Sequence, residues 1–262
     1  MQTADAQVTA FAESTRLAQE TEAVRASATA RHNAEATIKA EAKATYQASF
    51  NLTQTAQAEA RLTETADKQA TATAKVARFE KTLDMLVENG VIIDKQGQLE
   101  QLKDFDRSMS KLYYWDPEIL NYEVENFVFA ADLAWASASN NADWLWSGCG
   151  VAYGIQDPYN YTVLWVALDG NVYATHSVNG NLTKRFLTIQ RWGKASLPAG
   201  TAKLVIAVVD KRLTIYVDDV KVASAYDGAG KPGDLALLTL SGTNKDFGTR
   251  CKMTNIYLLI IK

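Results

Sequence analysis

Two patterns of apolar and polar positions divide the chain. Through residue 89 the large apolar side chains are sparse and set seven apart: Leu17, Val24, Ile38 and Leu52 share one heptad register, with Arg31 and Thr45 in its gaps. A second register runs Leu62, Val76 and Leu83, and Phe79 and Leu86 join it near the end. From residue 124 onward, apolar side chains crowd into short runs separated by turn residues at about ten-residue spacing. The first pattern predicts a long helix with a thin, broken seam, and the second an all-β domain.

The helical reading has to contend with an eight-residue repeat. AFAESTRL (10–17), AQETEAVR, ASATARHN, AEATIKAE and their successors run to AKVARFEK (74–81), with Ala first in every unit but that of Phe50 and Thr fourth at 21, 29, 37, 45 and 53. An even repeat suits a strand, and on a helix a side chain drifts about 80° per eight residues. Read as low complexity alone, the stretch would be a flexible spacer. Yet residues 1–89 contain no Gly and no Pro, hold 23 Ala and 14 Thr, and are rich in Glu, Gln, Lys and Arg, all good helix formers. Asn89-Gly90 then stops the helix, since Gly adopts the left-handed conformation that ends one. A helix of that length measures on the order of 130 Å and has no core of its own, so it gains stability by packing on something. The expectation is assembly with other copies through Leu17, Val24, Ile38, Leu52, Leu62, Val76 and Leu83.

Residues 90–123 read as a connector: Val91-Ile92-Ile93, a turn near Gly97, then a polar and aromatic segment containing Lys111-Leu112-Tyr113-Tyr114-Trp115. Strands are predicted at 124–136, 149–156, 160–168, 171–177, 184–190, 202–210, 212–218, 220–225, 234–240 and 250–261, enough for two packed antiparallel sheets. The fold class is thus multidomain, an α-helix over 1–89 followed by an antiparallel β-sandwich over 124–262.

Charge and composition narrow the function. The net charge of −3 is small, and residues 1–89 mix 10 Lys or Arg with 12 Asp or Glu, which argues against a nucleic-acid partner. No run approaches the roughly 18 apolar residues of a membrane span, and Met1 is not followed by a basic and then apolar signal sequence. Taken alone, that reads as a soluble chain without export. Cys149 and Cys251 lie far from each other in sequence and from the two histidines, His32 and His176, so no metal site and no cofactor are expected. Free buried thiols and a disulfide both fit these residues.

The order of features in FVFAADLAW (127–135), GCGVAYGIQDPYNYTVLWVALDGNVY (148–173), LVIAVVDKRLTIYVDDVKVASAYD (204–227) and DLALLTLSGTNKDFGTRCKMTNIYLLII (234–261) resembles concanavalin A-like lectin and glucanase sandwiches. Within that group it is most similar to the laminin-G-like and family-16-glucanase-like modules of bacterial surface proteins. TIYVDDVKVAS resembles their "YVDG" hairpin, although Asp219-Val220 stand where Gly is common. The resemblance covers about half the chain. It implies a lectin-like, jelly-roll β-sandwich, an extracellular or cell-surface location, and a bridge between Cys149 and Cys251.

Catalysis is not expected. Glucanases of this kind use two glutamates on one strand, and this chain has no Glu after Glu125. A lone strand histidine such as His176 is more often structural than catalytic. For a glycan, strand 160–168 places Tyr161, Val163, Trp165 and Ala167 on one face and Leu164, Val166 and Leu168 on the other. The aliphatic face is core, which leaves Tyr161 and Trp165, joined by Tyr173, Trp144 and Trp146, as rings for sugar stacking, for contact with neighbouring copies, or for simple packing. The leading expectation is a non-catalytic extracellular structural protein that self-assembles into an oligomer or filament through its N-terminal helix, coiled-coil fashion, and displays a lectin-like sandwich. The alternative is a stalked carbohydrate-binding adhesin with an extracellular glycan as partner, and a glycoside hydrolase ranks third.

Overall fold

The computed structural model describes residues 3–183, 187, 190–191 and 197–261. Helix α1 (Thr3–Glu88) follows from the absence of Gly and Pro. Its recurrent threonines are satisfied locally: the Oγ1 of Thr21, Thr29, Thr37, Thr45 and Thr53 each donates to the carbonyl four residues earlier, at 2.7–3.0 Å. Each hydroxyl is thereby spent on the helix itself. The helix ends as the sequence predicts. Gly90 takes φ +65°, its N–H bonds the Val87 carbonyl at 2.9 Å, and the Val91 N–H bonds the Leu86 carbonyl at 2.9 Å, a Schellman closure.

The chain forms two compact units, residues 1–72 and 73–262. In the first, every side chain described from residue 13 onward is exposed. Leu17, Val24, Ile38, Leu52 and Leu62 are therefore uncovered, as are Tyr46 and Phe50, whose rings stack at 6.5 Å.

The second unit holds the last turns of α1 and fourteen strands. β1 (Gln98–Gln101), β2 (Phe105–Met109), β3 (Tyr114–Val124), β4 (Asn126–Ser137), β5 (Gly148–Asp157), β6 (Asn160–Ala167) and β7 (Asn171–Val178) come first. β8 (Asn181–Leu182), β9 (Gln190–Arg191), β10 (Ala199–Val209), β11 (Arg212–Val217), β12 (Val220–Tyr226), β13 (Gly233–Ser241) and β14 (Thr249–Ile261) follow. They make two seven-stranded antiparallel sheets. One runs β1-β14-β4-β10-β11-β12 with β2 also on β14, and the other β3-β13-β5-β6-β7-β8 with β9 also on β7. The strand expected at 184–190 falls largely outside the described residues.

Alternation along the strands builds the core between the sheets. Phe127, Phe129, Ala131, Leu133 and Trp135 of β4 meet Leu164 and Val166 of β6 and Leu235 and Leu237 of β13. Cys149 of β5 and Cys251 of β14 are bonded across this core with Cα atoms 5.4 Å apart, so of the two states open to the sequence the disulfide is the one formed.

Two expectations are corrected. Leu83 is not part of an assembly seam: with Phe79 and Leu86 it packs on the outer face of the first sheet, against Val128, Ala130, Val205, Ala207, Tyr257 and Leu259. That third layer is why β4 reads as a continuous apolar run rather than an alternating one. Val76, one turn earlier, stays partly exposed at 36% and outside that cluster. Residues 90–123 are not merely a connector, because β1 and β2 pair with successive halves of β14 and β3 edges the second sheet beside β13. Pro117 fits there because an edge strand leaves the missing N–H unused.

Candidate functional site

The outer face of the second sheet carries the aromatic residues. As the strand parity predicts, Val163, Trp165 and Ala167 lie on this face with Tyr161, opposite the core face of Leu164, Val166 and Leu168. Their exposure does not follow the expectation. Trp165 is 1% exposed and Tyr173 2%, because the 3-10 turn Trp144–Trp146 folds over them. A ladder of rings results: Tyr173 on Trp165 at 5.1 Å, Trp165 on Trp146 at 5.9 Å, Trp146 on Trp115 at 6.3 Å and Trp115 on Tyr114 at 6.4 Å, all near-parallel. Trp165 Nε1 donates to the Leu145 carbonyl at 2.8 Å, and the Tyr173 hydroxyl donates to Asp169. The buried end of the ladder is packed, and Trp165 and Tyr173 present almost no surface to a ligand. Trp144 turns away from the ladder and packs against the main core.

The open end of the ladder is a groove of about 520 Å³ bordered by Tyr113, Tyr114, Trp115, Ile119, Tyr161 and Asp157. Tyr113 and Tyr114 are 54% and 45% exposed. Tyr113 stands edge-on to Trp146 at 6.1 Å, Trp115 Nε1 donates to the Tyr161 hydroxyl at 3.1 Å, and Lys111 Nζ lies 3.8 Å above the Tyr114 ring. Flat, half-exposed rings fixed from behind are therefore combined with Gln156, Asp157 and Asp234 as hydrogen-bonding groups. The Asp157 carboxyl is held below the usual carboxylate range by the Asn160 side chain first and then by the Tyr159 N–H. Of the five aromatic residues expected to form the site, Tyr161 alone lines the groove, and Trp146 supports it from behind. The sequence mark of the other rings is the Tyr113-Tyr114-Trp115 triplet, which lies within the stretch read as connector.

A second cluster sits at one end of this sheet. Asp227 is fully buried; its Oδ2 accepts from the Tyr153 hydroxyl at 2.8 Å and from Thr162 Oγ1 at 3.1 Å. Thr162 Oγ1 also lies 3.1 Å from His176 Nδ1. His176 Nε2 lies 3.3 Å from Asp227 Oδ1, and that oxygen accepts no well-directed hydrogen bond. Burial and then the Asp227 charge push the Tyr153 phenol well above its ordinary range. His176 is thus part of a buried polar network joining β5, β6 and β7 to the segment after β12.

Among the described residues, no three His, Cys, Asp or Glu side chains converge as a metal site would need, and no helix is long and apolar enough to cross a membrane. No protein-family model matches the chain, and no curated protein matches it. Similar solved structures include a carbohydrate-binding module (CBM66) from Bacillus subtilis, 14% identical, covering 63% of this chain and 92% of that one, at a TM-score of 0.45. A legume lectin-like domain from Entamoeba histolytica is 11% identical over 64% of this chain and 89% of that one, with a TM-score of 0.43. A fructofuranosidase from Schwanniomyces occidentalis complexed with fructose is 10% identical over 62% of this chain and 34% of that one, with a TM-score of 0.41. These neighbours include both binding modules and hydrolases, and likeness at this level assigns neither a ligand nor an activity to this chain.

Proposed function

We propose that this protein is a non-catalytic, extracellular carbohydrate-binding protein whose lectin-type jelly-roll sandwich takes a glycan in the Tyr113/Tyr114/Trp115/Tyr161 groove. The observation that carries the reading is the combination of half-exposed rings, rigidly backed by the ladder, with amide and carboxylate groups beside them. Such a surface stacks on the apolar face of a pyranose and bonds its hydroxyls. A core disulfide supports an oxidising compartment, and the lack of any Glu beyond Glu125 supports binding without hydrolysis. A glycan array followed by calorimetry on the full chain tests it. Binding should occur and Tyr114→Ala should weaken it by roughly tenfold. An array without any hit, or turnover of a bound glycan, would overturn the reading.

A second reading, self-association through α1, rests on a separate observation. Leu17, Val24, Ile38, Leu52 and Leu62 are exposed along a helix with almost balanced charge, a surface suited to another copy of itself.

A further inference from the structure

We propose that the pocket at the end of the second sheet, beside the aromatic groove, is a subsite for the carboxylate of an acidic sugar, so that the glycan is a uronic-acid polymer. This rests on the carbohydrate-binding reading above and names the class of glycan. The pocket holds about 420 Å³ between the Gly228–Gly230 loop with Lys231 and the ends of β6 and β7. Gln156 and Tyr161 border both this pocket and the groove, so one oligosaccharide reaches from one to the other.

Its chemistry differs from that of the groove. Lys211, Lys231 and His176 line the pocket together with Asn160, Thr162 and Ser177, and no Asp or Glu does, in a chain whose net charge is −3. Both lysines are exposed, and neither has a salt bridge among the described residues. Two carboxylates stand close by without lining it: Asp227, fully buried beneath the wall, accepts from Tyr153 and Thr162, and Asp157, on the groove side, accepts from the Asn160 amide at 2.8 and 3.0 Å. Both are engaged by neutral donors, which leaves Lys211 and Lys231 as the charged side chains of the lining.

The walls are fixed through their backbones. The Asp227 N–H donates to the Lys211 carbonyl at 2.7 Å, and the Gly230 N–H to the Asp227 carbonyl at 3.1 Å. A Cβ on Gly230 would fall 2.9 Å from Asp227 Oδ2, and one on Gly154, at φ +64°, would fall 2.5 Å from the Lys231 carbonyl. Glycine at both positions lets the loop close on the sheet, and Lys211 and Lys231 both line the cleft that results. Two cations beside the exposed Gln156 amide suit a carboxylate with a neighbouring hydroxyl, the pattern of a uronic acid.

Calorimetry on the full chain with oligogalacturonate, oligomeric alginate and hyaluronan fragments, each beside its carboxyl-reduced counterpart, tests the assignment. At least one acidic oligomer should bind about tenfold or more tighter than its reduced partner, and the preference should fall with added salt. Lys211→Asn combined with Lys231→Gln should abolish the difference within that pair while leaving the circular dichroism spectrum and the thermal transition unchanged. Asn is chosen because residue 211 has φ 62°. Lys231→Arg should retain the preference. Equal binding of acidic and reduced forms, or a preference that survives the double substitution, overturns the acidic-sugar assignment and leaves glycan binding standing. Binding of neutral oligomers alone has the same meaning, whereas a chain that binds no glycan at all removes both.

Discussion

The rings of the ladder on one sheet face have opposite duties, and exposure separates them. Trp165, 1% exposed and bonded to the Leu145 carbonyl, fills the space under the turn at Trp144–Trp146. Trp165→Ala should cost about 3–5 kcal/mol in a urea titration. Tyr114→Ala, at the open end, should change that midpoint little while weakening glycan binding. The buried network supplies a pH signature. Tyr153 has its phenol raised well above the ordinary value, and Tyr122, Tyr216 and Tyr257 are raised as well. A tyrosine whose folded value is raised stabilises the fold fully below its unfolded value of about 10 and loses that contribution as the pH climbs toward the folded value. Thermal stability should therefore decline above about pH 10, and Tyr153→Phe should make that decline shallower, as calorimetric scans between neutral and alkaline pH would register.

At the level of elements, the end of α1 behaves differently from the rest of it. Phe79, Leu83 and Leu86 bury themselves on the outer face of the first sheet and are flanked by Lys203, whose Nζ donates to Thr82 Oγ1 at 2.9 Å. Leu83→Ala should cost about 2–5 kcal/mol, whereas Leu52→Ala, at an exposed position, should fall within about 0.5 kcal/mol for an unassociated chain. The disulfide ties β5 to β14 over a sequence separation of 102 residues. Its removal by paired Cys149→Ala and Cys251→Ala substitutions should cost about 2–5 kcal/mol, read from denaturant midpoints.

For the molecule as a whole, residues 73–262 contain both sheets, the disulfide and the helical turns that cover the first sheet. A chain beginning at Thr73 should fold, remain monomeric in light scattering and keep its glycan binding. Under the self-association reading, the full chain should scatter as an oligomer at the same concentration, and a full chain that stays monomeric would remove that reading. A chain beginning at Glu123 should fail to fold, because β1, β2 and most of β3 lie before it and Phe105 belongs to the main core.

Local rules alone carry a good deal of this architecture. The missing Gly and Pro fix the extent of α1, Gly90 fixes its end, and two-residue alternation in β6 correctly assigns Leu164, Val166 and Leu168 to one face and Tyr161, Val163 and Trp165 to the other. Such features depend on backbone conformation and on neighbours a few residues away, so they are legible in the chain. What covers each face is decided by segments distant in sequence. The turn at Trp144–Trp146 buries Trp165, β3 brings Tyr114 and Trp115 to the groove, and the first sheet takes Leu83 from the helical seam. Asp227 acquires Tyr153, Thr162 and His176 in the same way, from strands 51–74 residues earlier. Periodicity tells which way a side chain points, and only tertiary packing tells what it meets there.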